Sequence, residues 1–87
     1  SERRNPVMEI LVTFENRFDA TFFAKVLKDT GIRCLMMPTP RTLSASCGVC
    51  AIVNDDRLVD LIKSNSEVVY QEIYEVKNNQ YIKLKHS

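Results

Sequence analysis

Residues 7–31 read VMEILVTFENRFDATFFAKVLKDTG, and this stretch decides the fold class. Val7 to Phe14 is dense in β-branched and apolar side chains, the composition of a strand buried within a sheet. Asn16 stands where a helix N-cap is needed, Asp19 follows three residues later, and Gly31 behind Lys28-Asp29-Thr30 is a stop signal. The spacing therefore predicts a helix over 17–29. Ala20, Phe23, Ala24 and Leu27 recur at i, i+3, i+4 and i+7, forming the stripe that packs on the sheet. Phe18, Phe22 and Val26 run beside it at i, i+4 and i+8. That second stripe admits two readings, a deeply packed helix or the surface of a homodimer.

Working outward, Ile32 to Met37 is predicted as a second strand, closed by Pro38 and Pro40, which cannot donate to a ladder. Residues 38–47, PTPRTLSASC, form a connection longer than an ordinary hairpin loop. Gly48 to Val53 reads as a third strand, and Asn54-Asp55-Asp56 caps a second helix with core residues Leu58, Leu61 and Ile62. Asn65 is expected to end that helix in a left-handed conformation, before a long strand from Val68 to Val76. Asn78-Asn79 marks a turn, and Tyr81 to Lys85 can return as a short strand whose Lys83 and Lys85 discourage further pairing. The order is βαββαβ with an extra terminal strand, which predicts an α+β, ferredoxin-like two-layer sandwich with both helices on one face. A single domain is expected over 7–76, with 1–6 as a disordered N-terminus and 77–87 as a turn plus short strand or tail.

Charge and composition exclude several classes of function. Twelve Lys and Arg against eleven Asp and Glu, with no basic tract, argue against a nucleic-acid partner. No apolar run approaches the ~20 residues of a membrane span, and residues 1–6 lack the apolar centre of a signal peptide, so a cytoplasmic location is expected. Two glycines cannot build a phosphate cradle. Asp55, Asp56 and Asp60 complement a helix dipole, and Tyr70, Tyr74 and Tyr81 read as strand-face packing. Three cysteines are an odd number, which argues against a disulfide framework and leaves at least one free thiol.

The segment Arg41-Thr42-Leu43-Ser44-Ala45-Ser46-Cys47-Gly48 carries the chemistry. Arg41 can favour a thiolate, Ser44 and Ser46 can donate hydrogen bonds to it, and Gly48 permits close approach of a ligand. Cys47 is therefore the candidate nucleophile. The competing reading is a small buried residue at a strand start. Cys47 and Cys50 form a C-x-x-C pair, but an extended strand separates their α-carbons by roughly 10 Å and points them to opposite faces, against the ~7 Å limit for a disulfide. Zinc would need four ligands, and the single histidine, His86, lies in the terminal tail. No metal or other cofactor is expected. Cys34, on the second strand, is expected somewhere near Cys50 if the connection closes as a hairpin; its roles are core packing or, with Cys50, that of a resolving thiol.

Thr13-Phe14, the helix end Leu27-Lys-Asp-Thr-Gly31-Ile32, Pro38-Thr-Pro40-Arg41 and Ser44-Ala-Ser46-Cys47-Gly48 together resemble the selenium/sulfur carrier protein-like family, a small bacterial family. The resemblance runs from about Val7 to Val76 and is most specific in Pro-Arg followed by Ser-x-Ser-Cys-Gly. It implies one cysteine, Cys47, that holds sulfur or selenium as a persulfide or selenopersulfide and passes it between donor and acceptor proteins. Arg41, Ser44, Ser46 and Gly48 carry over as its surroundings. Cys34, Cys50 and the tail beyond Val76 depart from the family pattern and leave a redox pairing open. A carrier needs a thiol presented on a mobile segment and no substrate pocket, which suits this chain better than a complete enzyme. The alternative from a different class is an interaction module that associates through Phe18, Phe22 and Val26, with Cys47 merely packed.

Overall fold

The computed structural model describes residues 9–43 and 47–84. The elements are β1 (Glu9–Thr13), α1 (Arg17–Asp29), β2 (Leu35–Pro38), β3 (Val49–Val53), α2 (Arg57–Ser64), β4 (Glu72–Lys77) and β5 (Gln80–Lys83). The strands form one antiparallel sheet in the order β2-β3-β1-β4-β5. The succession of elements is the expected one, and the extra terminal strand is present as β5, which widens the sheet beyond β4.

β1 lies between β3 and β4, which is why Ile10, Leu11, Val12 and Thr13 are all fully buried. Strand alternation divides the core into two layers. On one face Ile10, Val12, Ala51, Val53 and Ile73 meet Ala20, Phe23 and Leu27 of α1 and Leu58 and Leu61 of α2. Both helices therefore cover the same face. The rings of Phe14 and Phe23 join strand end to helix, tilted by 58° with centroids 5.2 Å apart, a favoured aromatic geometry. On the helix-free face Leu11, Cys50 and Tyr74 form a smaller cluster with Met37, Leu43, Ile52, Val76 and Tyr81 packed against it.

Helix α1 has the predicted bounds, and the Asn16 side chain accepts from the Asp19 amide at 2.8 Å. At its end Gly31 adopts φ +80°, its amide donating to Lys28 and the Ile32 amide to Leu27 at 2.9 Å. That capping use of the Ile32 amide explains why β2 begins at Leu35 and not at Ile32. Pro38 closes β2 instead of lying beyond it, which is tolerated because β2 is an edge strand. The cap of α2 comes from Asp55, whose carboxylate accepts from the Arg57 amide at 2.9 Å and pairs with its guanidinium at 2.7 Å. These Arg57 hydrogen bonds hold the Asp55 carboxyl below its usual range.

Asn65 corrects one expectation, because it is extended with φ −115° and not left-handed. Its amide and its side-chain nitrogen both donate to the Leu61 carbonyl, closing α2 without a left-handed residue. β4 begins at Glu72 because the Val68 amide turns back to the Asn65 carbonyl while its side chain fills the helix-side core. Asn78 and Asn79 have φ 52° and 64°, the left-handed pair of a two-residue hairpin turn. Val7, Met8 and Lys85 lie outside the described residues. Among those described, no helix is long and apolar enough to cross a membrane.

The second stripe on α1 is not one continuous surface. Phe22 and Val26 are half-buried against the helix-side core, and Phe18 alone is left 79% exposed.

Candidate functional site

The end of β1 organises one end of the domain. Thr13 is fully buried, and its hydroxyl accepts from the Glu72 amide at 3.0 Å, while its carbonyl accepts from the Gln71 amide at 2.7 Å. These bonds fix the entry to β4. The next carbonyl, that of Phe14, accepts from the Cys47 amide at 3.1 Å, two residues ahead of the cap of α1. Cys47 is thus placed where β1 ends, α1 begins and β3 is about to start.

A second set of bonds holds Cys47 from the other side. The Thr39 hydroxyl donates to the Cys47 carbonyl at 3.1 Å, and the Thr39 amide donates to the Gly48 carbonyl at 3.0 Å. The Cys47 backbone therefore spends both its donor and its acceptor on fixed partners. This departs from the expectation of a mobile presenting segment at the cysteine itself. The thiol is half-buried and free, packed against the helix-side core. Gly48 is exposed, and a Cβ built on it would meet nothing within 4 Å. The backbone next to Cys47 is thus uncovered at Gly48.

Arg41 is exposed and has no hydrogen bond or ion pair with another described residue. Ser44 and Ser46 lie outside the described residues. Leu43 folds inward from the same loop onto the helix-free cluster of Leu11, Cys50 and Tyr74, and its amide donates to the Pro40 carbonyl at 3.1 Å.

The other two thiols are not brought to Cys47. Cys50 is fully buried on the helix-free face, whereas Cys47 packs against the helix-side layer. The Cys50 thiol makes a long contact to the Pro38 carbonyl at 3.8 Å. Burial pushes its pKa up, with the Thr39 hydroxyl opposing. Met37, not Cys34, stands opposite Cys50 in the ladder. Cys34 precedes β2 and lies about 13 Å along it from Pro38, taking ~3.3 Å per residue, at the opposite end of the β2–β3 ladder from Cys47. Its thiol donates to the Met36 sulfur at 3.8 Å, and burial pushes its pKa up to about 11. At neutral pH it is a protonated, weakly nucleophilic thiol. Among the described residues no group of three or more His, Cys, Asp or Glu side chains is placed to hold a metal ion.

Sequence patterning pointed to Cys47 and Gly48 but gave no role to Thr39 and Phe14, which hydrogen-bond them, or to Leu43, which packs on the helix-free cluster. Thr39 sits between two prolines with no periodic signal, and Phe14 acts through its carbonyl, which any residue would carry. Only the apolar Leu43 in an otherwise polar loop offered a visible clue.

Comparison with known families gives a match to a family model described as "Putative Se/S carrier protein-like" over residues 9–75. The match covers β1 through most of β4 and includes Thr39, Arg41, Cys47 and Gly48. No curated protein and no solved structure matches the chain.

Proposed function

The chain belongs to the Se/S carrier protein-like family, and from that premise we propose that it is a thiol carrier that holds sulfur or selenium on Cys47 between a donor and an acceptor protein. The observation that carries this reading is the family match together with the placement of Cys47: a free, half-buried thiol at one end of the sheet, next to the exposed Gly48. The scaffold in this reading is a ferredoxin-like sandwich widened by β5. In this reading the cargo is sulfur or selenium held as a persulfide or selenopersulfide, and the setting is cytoplasmic.

The transfer step conserves oxidation state overall. The Cys47 thiolate attacks the terminal sulfur of a donor persulfide, the new S–S bond forms to Cys47, and the donor's own S–S bond breaks to release its thiolate. Cys47 then carries the persulfide. Attack by an acceptor thiolate on that outer sulfur returns Cys47 as thiolate. A selenopersulfide donor gives the corresponding S–Se bond without an added oxidant. No cofactor takes part. The cargo itself is the only group the site must hold.

Cys34 and Cys50 are separated from Cys47 by the register and by the two faces of the sheet, which favours a single carrying thiol over an intramolecular dithiol exchange. The test is a transfer cycle. Protein loaded by a persulfide donor is desalted and mixed with a small acceptor thiol, and the loaded and unloaded masses are followed. Wild type should load and discharge, and Cys47→Ser should do neither. Loading that survives Cys47→Ser overturns the proposal.

A further inference from the structure

We propose that Thr39 is the positioning residue of the Cys47 thiol, buckling the two ends of the 39–47 loop together through its amide and its hydroxyl. The inference rests on the carrier reading for its purpose, but its geometry stands independently. Three hydrogen bonds converge on two consecutive residues: Phe14 takes the Cys47 amide, Thr39 Oγ1 serves the Cys47 carbonyl, and the Thr39 amide serves the Gly48 carbonyl. The hydroxyl is the one contribution that only a serine or threonine could make here. Thr39 touches no reacting atom; it acts by fixing the peptide from which the thiol projects. In this arrangement Cys47 works from a platform and does not swing on an arm. A donor or acceptor must therefore bring its own mobile nucleophile to it.

The experiment compares Thr39→Val with Thr39→Ser in the full chain. Valine keeps the shape and the Thr39 amide bond to Gly48 while deleting the hydroxyl donor; serine restores the donor. Each protein is treated briefly with iodoacetamide, and modification of each cysteine is read by peptide mass spectrometry. Loss of one hydrogen bond should raise the modification rate of Cys47 about fivefold in Thr39→Val. Thr39→Ser should return it to about the wild-type rate, and Cys34, at the far end of the sheet, should be unchanged in both. An unchanged Cys47 rate in Thr39→Val overturns the inference. So does a parallel rise at Cys34, which reports general loosening, or a failure of serine to restore protection. The carrier reading is judged separately on the same wild-type sample by persulfide loading. Failure to load refutes that reading and leaves the alkylation result for Thr39 standing.

Discussion

Replacing Leu43 with alanine should unseat the loop that leads to Cys47. Leu43 is half-buried, packed on Leu11, Cys50 and Tyr74 across the helix-free face. Full burial of a leucine is worth about 1.5–3 kcal/mol, so a half-buried one contributes on the order of 1 kcal/mol. That energy corresponds to about a fivefold shift in the equilibrium for local opening of the loop. Cys50, in the cluster on which Leu43 packs, is 0% exposed and should become modified by iodoacetamide about fivefold faster. Cys34, packed on the helix-side core, serves as the internal reference. In parallel, urea unfolding should show a loss of about 1 kcal/mol, or a fall in Tm of about 4–8 °C for a domain of this size. The reasoning is refuted if Leu43→Ala lowers global stability yet leaves Cys50 as protected, relative to Cys34, as in wild type.

Three further outcomes follow from the local geometry. Gly31→Ala meets no steric obstacle, but it forces a side chain into φ +80°; it should cost about 1–2 kcal/mol, read as a lower urea midpoint. Gly48→Ala has open space and no left-handed backbone to defend, so its stability should stay within about 0.5 kcal/mol of wild type by urea unfolding. Any loss of persulfide transfer in that variant then reports crowding of the approach to Cys47. The Cys34 thiol is raised from 9.0 to about 11 by burial, so between those values the unfolded chain releases a proton that the folded chain retains. Stability from this group is present below pH 9 and is lost as pH rises toward 11. Urea midpoints measured across that range should therefore fall more steeply in wild type than in Cys34→Ala.

The fold was largely legible because its signals are local and mutually consistent. Asn16, Asp19 and Gly31 mark a helix whose stripe Ala20, Phe23 and Leu27 is the one buried, and Asn78-Asn79 specify a turn by their tolerance of positive φ. Misjudged boundaries lie where a backbone group had two claimants. Ile32 has strand character, yet its amide caps α1; Val68 has strand character, yet its amide closes a turn after α2. Asn65 can adopt a left-handed cap, but its side chain found the Leu61 carbonyl and removed the need. At the candidate site, residue type and motif singled out Cys47, whereas the hydrogen bonds that hold its backbone were not visible in the sequence. Restraint comes from the carbonyl of Phe14, far away in sequence, and from Thr39, whose partner carbonyls exist only once β2 and β3 have paired. Cys50 illustrates the same limit, since alternation predicted its divergence from Cys47 while its complete burial comes from the helix-free cluster, to which Met37 of the paired strand and Leu43 of the loop both contribute.

The most direct test of the account is the distribution of bound sulfur over the three cysteines. The reduced protein is exposed to a limiting amount of a persulfide donor, its free thiols are blocked, and persulfidated peptides are mapped by mass spectrometry. The account predicts a single bound sulfur confined to Cys47, with Cys34 and Cys50 recovered as blocked or protected thiols. Sulfur spread evenly over Cys34, Cys47 and Cys50, or a disulfide joining Cys47 to either of the others, would contradict it.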